Sequence, residues 1–111
     1  MKKVIFHIDE MDKWNLLLTN VKNLIDATTD TKIKIEVIAN SEAVKGYKHD
    51  FKLVKTIDEL NEEGVKFIAC NNALKGNGLI KEDILTFVQI VPTGVLEIIE
   101  KQEKGYAYVK P

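Results

Sequence analysis

The fold is decided by the stretch Val65-Lys66-Phe67-Ile68-Ala69-Cys70-Asn71-Asn72. Its first part is a short, mainly apolar run, which predicts a strand that is buried on both faces of a sheet. Gly64 stands directly before the run and is placed to end a helix, and the two asparagines after it predict a turn. A helix, a buried strand and a polar turn in succession are typical of a parallel α/β sheet.

The same alternation of helix and strand patterns continues in both directions along the chain. Strands are expected at residues 4–8, 33–39, 65–70, 88–91 and 106–109. Helices are expected at residues 14–27, 57–63, 81–87 and 92–104, with a short helix at 42–44 and a polar loop with one helical turn at 71–78. This order predicts one α/β domain over residues 1–111, with a mostly parallel five-stranded sheet and helices on both faces.

Local patterns add expectations about exposure and helix ends. In the second strand, isoleucine and valine alternate with Lys34 and Glu36, which predicts a partly exposed face and a position at or near the sheet edge. Asp9 is expected to cap the first helix, and Thr56 and Glu59 have the spacing of a capping box. The inward residues of the last helix are expected to be Val95, Ile98, Ile99 and Gln102.

The composition is that of an ordinary globular domain, with 45% hydrophobic and 30% charged residues. The 16 basic and 17 acidic residues nearly cancel, so the chain has no electrostatic footprint for nucleic acid or for an anionic membrane surface. All of the basic residues are lysine, and the absence of arginine further disfavours sequence-specific readout of bases. We therefore expect no direct binding to nucleic acid.

The single cysteine and the apolar patterns bear on compartment and cofactors. Cys70 cannot form an internal disulfide, His7 and His49 are not spaced with it as zinc ligands, and no motif calls for a cofactor. The apolar run at residues 4–8 is too short for a signal peptide, and no stretch reaches the length of a membrane span. A cytoplasmic location is expected, without a metal site and without membrane association.

Polar residues follow the predicted strands at their carboxyl ends, where ligands bind in parallel α/β sheets. The segments expected to converge there are residues 7–10, 40–41, 70–72 and 92–94. Asn40 is a polar candidate, and Thr93 with Gly94 could hold an anion at the start of the last helix. Helix capping and first-turn charge explain Thr93, Asp9 and Glu10 equally well.

Cys70 is the main candidate for a reactive residue because it ends its strand. A turn or helix that begins at Asn71 would direct backbone N–H groups at the sulfur and favour the nucleophilic thiolate. The side chains of Asn71 and Asn72 could add hydrogen bonds, and His7 could exchange a proton with the sulfur. The alternatives stay open, because buried cysteines often only pack, asparagines form turns, and a histidine in an apolar strand is often a satisfied core residue.

Taken in order, five segments resemble those of the DsrE/DsrF-like family of small sulfur-relay proteins. They are Phe6-His7-Ile8-Asp9-Glu10, Leu18-Thr19-Asn20-Val21-Lys22-Asn23-Leu24, Ala69-Cys70-Asn71-Asn72-Ala73-Leu74, Val91-Pro92-Thr93-Gly94-Val95 and residues 102–111. The resemblance covers essentially the whole chain. It implies a three-layer α/β/α fold, assembly into homotrimers or homohexamers, and a persulfide on Cys70 that passes sulfur from a donor protein to an acceptor protein. Ser41 departs from the family pattern, in which glycine is common.

Three functions remain as hypotheses. The first is a persulfide carrier or sulfurtransferase that acts through Cys70, whose sulfur must leave to another molecule because no second cysteine can resolve it. The second is a non-catalytic module for a small ligand or a partner, in which Cys70 packs. Nucleotide binding is third, because Gly76-Asn77-Gly78 lacks the spacing of a phosphate-binding loop. Tyr106 and Tyr108 would suit either a subunit interface or the core.

Overall fold

Five strands form one sheet in the computed structural model, which describes residues 1–111. The strands are β1 (Lys2–Ile8), β2 (Ile33–Ala39), β3 (Lys66–Cys70), β4 (Gln89–Val91) and β5 (Ala107–Val109). Their order across the sheet is β4-β3-β2-β1-β5, and every neighbouring pair is parallel. The expected sheet is confirmed, with all rather than most of its strands parallel.

The helices divide unequally between the two faces of this sheet. They are α1 (Trp14–Ala27), α2 (Val54–Glu62), α3 (Asn71–Gly76) and α4 (Gly94–Glu103). From β1 to β4 the chain steps in one direction across the sheet, so right-handed crossovers place α1, α2 and α3 on the same face. From β4 to β5 the chain returns across the whole sheet, which places α4 on the opposite face. The result is the three-layer α/β/α arrangement that the family resemblance implies.

The two faces bury very different amounts of apolar surface. The face under α1, α2 and α3 carries a cluster of 21 buried residues. In this cluster the rings of Trp14 and Tyr47 are fully buried and meet edge to face, with their centroids 5.4 Å apart. The face under α4 carries a cluster of four, which are Ile5, Ile38, Ile68 and Val91. Since hydrophobic stabilisation scales with buried apolar area, most of it comes from the first face.

The inward face of α4 is not the apolar one expected from its spacing. Val95 and Ile99 are 62% and 48% exposed, and Gln102 is also exposed. Of the four expected residues, only Ile98 packs against the sheet. The buried residues of α4 are instead Gly94 and Glu97.

A largely buried group of three charges explains this rotation of α4. The ammonium Nζ of Lys101 lies 2.9 Å from Oε1 of Glu36 on β2 and 2.5 Å from Oε2 of Glu97. The side chains of both glutamates are less than a tenth exposed. Glu36 is therefore buried despite its charge, because a lysine 65 positions away pairs with it.

The second strand does not lie at or near the sheet edge, where its alternating pattern placed it. β2 is the central strand, between β3 and β1, and not an edge. The alternation of Lys34 and Glu36 suggested one wet face, but Lys34 alone is exposed. Glu36 lies under α4, where Lys101 neutralises it.

The helix expected at residues 81–87 is absent. Only a 3₁₀ turn, Lys81–Asp83, forms there. The chain then pairs with a neighbouring segment, because Ile84 bridges Lys48 and the Leu85 N–H donates to the carbonyl of Tyr47 at 2.9 Å. These contacts use backbone groups that a longer helix would need for its own hydrogen bonds.

The expected capping groups of the first two long helices do not cap them. α2 begins at Val54, so Thr56 lies inside the helix and cannot form the capping box. Asp9 lies before a 3₁₀ turn that precedes α1, and its carboxylate pairs with Lys110 at 3.2 Å. Both helices are ordered by the apolar faces that they bury, with no side-chain cap.

Candidate functional site

The carboxyl ends of β3 and β4 define a crevice at one edge of the sheet. Cys70 ends β3 and is in register with Val91, which ends β4. The chain after β3 turns into α3 on the large-cluster face, whereas the chain after β4 turns into α4 on the opposite face. Neighbouring parallel strands whose connections diverge in this way form the usual ligand crevice of open α/β sheets.

Cys70 is the N-cap residue of α3. Its side chain is 6% exposed and its backbone is extended, with φ −75° and ψ 120°. The sulfur makes no capping hydrogen bond to the helix. Asn71 is half-buried and Asn72 is exposed, and neither side chain bonds the sulfur. The expected helix start after Cys70 is present as a six-residue helix, but the expected hydrogen bonds to the sulfur are not.

Cys70 shares a sheet face with two other predicted site residues. Side chains alternate along a strand, so residues two positions apart lie on the same face. His7 follows Ile5, Asn40 follows Ile38 and Cys70 follows Ile68 at this spacing, and all three isoleucines belong to the cluster under α4. His7, Asn40 and Cys70 therefore face the α4 side of three adjacent strands, at the end where the crevice opens.

His7 bridges Asn40 and Tyr108 rather than bonding Cys70. Its Nε2 lies 2.9 Å from Nδ2 of Asn40, and its Nδ1 lies 2.7 Å from the hydroxyl of Tyr108. Burial lowers the pKa of His7 below its ordinary value; nearby Asp9 opposes this effect, and Lys110 adds to it. The imidazole is therefore predominantly neutral at pH 7. Since an amide nitrogen only donates, Nε2 accepts from Asn40 and Nδ1–H donates to Tyr108.

Gly94 at the start of α4 packs directly against the Asn40 amide. A Cβ built on Gly94 would overlap the Oδ1, Cγ and Nδ2 atoms of Asn40. Thr93 occupies the cap position of α4 without a side-chain capping bond. Asn40 is thus held between His7 on one side and the first residue of α4 on the other, and Gly94 serves close packing as well as helix initiation.

The loop after β2 is also held from α3. Ser41 has φ 50°, in the left-handed region, and its carbonyl accepts a hydrogen bond of 3.0 Å from Nδ2 of Asn77. Asn77 closes the C-terminal end of α3. This contact ties the Asn40–Ser41 loop to the helix that begins at Cys70.

Tyr108 is the residue of this group that sequence reasoning missed. The sequence pattern suggests only an interface or core residue, because nothing in it says that β5 lies beside β1. The predicted residues that the structure brings together are His7, Asn40 and Gly94, with Cys70 on the strand next to Asn40. His49, in contrast, is exposed in the loop after the second strand. No three His, Cys, Asp or Glu residues are grouped as a metal site.

Residues 15–111 match the family model of the DsrE/DsrF-like family. The chain belongs to this family. Family membership points to a role in sulfur relay, and DsrE/DsrF-like proteins are often oligomeric. No curated protein matches the chain. No helix of this DsrE/DsrF-like chain has the length and hydropathy to cross a membrane.

Solved structures of three proteins share the fold. The structure of MTH1491, a protein of unknown function from Methanobacterium thermoautotrophicum, is 35% identical over the whole of both chains, with a TM-score of 0.93. The ychN protein from E. coli is 13% identical over the whole of both chains, with a TM-score of 0.78. BT1422 from Bacteroides thetaiotaomicron, a conserved protein of unknown function, is 18% identical over 99% of this chain and 95% of its own, with a TM-score of 0.78.

Proposed function

We propose that this DsrE/DsrF-like domain, residues 1–111, carries sulfur as a persulfide on Cys70. The observation that carries the proposal is the place of Cys70, in the crevice where the connections after β3 and β4 diverge. Both α3 and α4 begin at this edge, and helix N-termini present free backbone N–H groups and a partial positive charge. Such surroundings suit a sulfur that becomes anionic during transfer.

The transfer requires no change in net oxidation state. The Cys70 thiolate attacks the outer sulfur of a donor persulfide, R–S–SH. A bond forms between the Cys70 sulfur and that outer sulfur, while the S–S bond of the donor breaks and R–S⁻ leaves with the electron pair. The proton stays on the transferred sulfur or is lost to water. Delivery to an acceptor thiolate repeats the same exchange with Cys70 as the leaving group.

The donor and the acceptor are other proteins in this proposal, because the chain has one cysteine and cannot resolve its own persulfide. We infer a cytoplasmic location, where a free thiol stays reduced. We also infer a homo-oligomer, a trimer or a hexamer. The side chains of Val95, Leu96 and Ile99 are all more than two-fifths exposed on α4, and a second copy would cover them.

The test is sulfur loading followed by intact mass. The protein is incubated with a cysteine desulfurase that carries a protein persulfide, and a gain of one sulfur atom per chain is expected. Cys70→Ser is expected to gain none. A wild-type protein that stays at its original mass with every desulfurase-type donor would falsify the carrier function.

One observation favours a second function, a non-catalytic module for a small ligand or a partner. Cys70 is 6% exposed, which is also the burial of a cysteine that only packs. This alternative predicts that the native thiol resists iodoacetamide while the unfolded thiol reacts, and that Cys70→Ser retains binding. Sulfur gain by the wild type counts against it.

A further inference from the structure

A chain of hydrogen bonds runs across three strands and ends beside Cys70. It begins at the hydroxyl of Tyr108 on β5, passes through both ring nitrogens of His7 on β1, and ends at the amide of Asn40 after β2. Ala39 is in register with Ala69, so the next residues along the two strands, Asn40 and Cys70, are neighbours on the same face. The backbone of Asn40 therefore lies about 4.8 Å, one strand spacing, from the strand that carries the sulfur.

The amide of Asn40 has one N–H that the protein leaves unused. One N–H donates to Nε2 of His7, and Oδ1 faces Gly94, where no Cβ intervenes. The Asn40 side chain makes no other hydrogen bond within the chain. An amide NH₂ has two donors, so one of them remains without a partner in the chain.

His7 fixes which end of the amide faces it. A neutral ring that gives its proton to Tyr108 presents a lone pair at Nε2, which attracts an N–H and repels a carbonyl oxygen. Rotating the amide by half a turn would set Oδ1 against that lone pair. Tyr108 selects the tautomer of His7, and His7 in turn selects the orientation of Asn40.

A persulfide carries its charge one bond farther from the Cys70 backbone than a thiolate does. The S–S bond moves the outer sulfur about 2 Å beyond the cysteine sulfur. The thiol sulfur itself has no hydrogen-bond partner in the structure, so the unused donor matches the outer sulfur better than the inner one. A donor to the charged form stabilises that form.

We propose that Asn40 donates a hydrogen bond to the outer sulfur of a persulfide on Cys70, and that His7 and Tyr108 are positioning residues that hold its amide in the donating orientation. The inference rests on the proposed function for its biological meaning, because the ligand is the sulfur that a carrier would hold. It replaces the role that the sequence suggests for His7, which is proton exchange with Cys70, since both ring nitrogens have other partners.

The test uses a persulfide made without any donor protein. The thiol of Cys70 is converted to a mixed disulfide with 5,5′-dithiobis(2-nitrobenzoate), and sulfide then displaces the thionitrobenzoate, leaving Cys70–S–SH. The rate of alkylation of this persulfide by iodoacetamide is measured against pH in the full chain. The pH midpoint reports how well the anionic outer sulfur is stabilised.

The expected result is a shift of the midpoint by about one pH unit upward in Asn40→Ala and in His7→Asn. Gln places its terminal amide near the position of Nε2, so His7→Gln keeps an acceptor for Asn40 and is expected to retain the wild-type midpoint. Tyr108→Phe is expected to shift it in the same direction as His7→Asn. Urea unfolding of each variant shows that the sulfur is compared in folded protein.

An unchanged midpoint in folded Asn40→Ala overturns the proposal. So does a shift in His7→Gln as large as that in His7→Asn, because a purely structural role of the ring would affect both. Loading by a donor protein is a separate experiment. A protein that takes no sulfur from donors but shows the Asn40-dependent midpoint loses the carrier function and keeps this inference.

Discussion

Asn40 occupies the space in which a side chain on Gly94 would stand. The Oδ1, Cγ and Nδ2 atoms of its amide would all overlap a Cβ at that position. The same amide bonds His7 at 2.9 Å, so the start of α4 and the end of β1 are both packed to one side chain.

Gly94→Ala is expected to push Asn40 away from His7 and to lower the free energy of unfolding by about 2 kcal/mol, the usual cost of overpacking. Urea unfolding measures the loss. Gly76→Ala is the matched control, since Gly76 also lies in a helix and a methyl group added there would meet no atom within 4 Å. That control should be neutral or stabilised by up to about 1 kcal/mol. Equal effects of the two substitutions would contradict the packing described.

His7 is expected to make the free energy of unfolding depend on pH below neutrality. Its folded-state pKa lies below the unfolded value of 6.5, chiefly because of burial. As the pH falls through 6.5, the unfolded chain binds a proton that the folded chain does not, so the free energy of unfolding falls with it. Above 6.5 this contribution is fully present. His7→Gln should lose less stability than wild type between about pH 7 and pH 5 in urea titrations.

His49→Gln is the control for this pH dependence, because His49 is exposed and is the only other histidine. Its stability profile should match that of the wild type. If His49→Gln rather than His7→Gln flattened the profile, the acid sensitivity would not come from the site.

Lys101→Met should cost about 3 kcal/mol of folding free energy, because it leaves Glu36 and Glu97 buried without a counter-charge. Burial alone would lower the pKa of Lys101, but hydrogen bonds to Glu97 and Glu36 raise it above its ordinary value, so the ammonium is charged at neutral pH. Thermal and urea unfolding measure the loss.

Lys48→Met provides the comparison with an exposed ion pair. The charged groups of Lys48 and Asp50 are 4.0 Å apart, and their side chains are 42% and 82% exposed. Removing this ion pair is expected to change the free energy of unfolding by less than about 0.5 kcal/mol. A loss in Lys101→Met no larger than this would mean that the buried carboxylates take up protons or reach water.

Ser41→Gly is expected to stabilise the protein by about 1 kcal/mol. The backbone φ of 50° at Ser41 lies in the left-handed region, which is less favourable for a residue with a Cβ than for glycine. Ser41→Ala keeps the Cβ and should gain nothing. Differential scanning calorimetry would detect the difference as a higher Tm for the glycine variant alone. The opposite order would show that the Ser41 side chain offsets the strain.

The strands of the sheet could be predicted from the sequence, but the ion pair buried between the sheet and α4 could not. Buried strands such as residues 65–70 are recognisable from unbroken apolar runs, whose meaning does not depend on distant residues. The burial of Glu36 was not predictable because its partner, Lys101, lies 65 positions away in the sequence. A local pattern cannot reveal so distant a counter-ion. The same pair turns α4 so that Val95 and Ile99 face outward.

The candidate site was predictable in its parts but not in its connections. Parallel strands require that the residues after them gather at one edge, which is why His7, Asn40 and Cys70 can be named from the sequence. Which of them touch depends on the order of the strands. Because β1 lies between β2 and β5, His7 meets Asn40 and Tyr108, while Cys70 lies one strand farther away.

Because the two faces of the sheet bury different amounts of apolar surface, the large core and the candidate site are expected to differ in their stability toward unfolding. α4 and β5 supply no member of the 21-residue cluster, yet Gly94 and Tyr108 complete the surroundings of Asn40 and His7. A partial opening that releases only this segment is cheaper than global unfolding. Chemistry at Cys70 is therefore expected to fail at lower urea than the fluorescence of Trp14, the single tryptophan, which reports on the opposite face. The proposed function can therefore be lost while the fluorescence of Trp14 still reports a folded molecule.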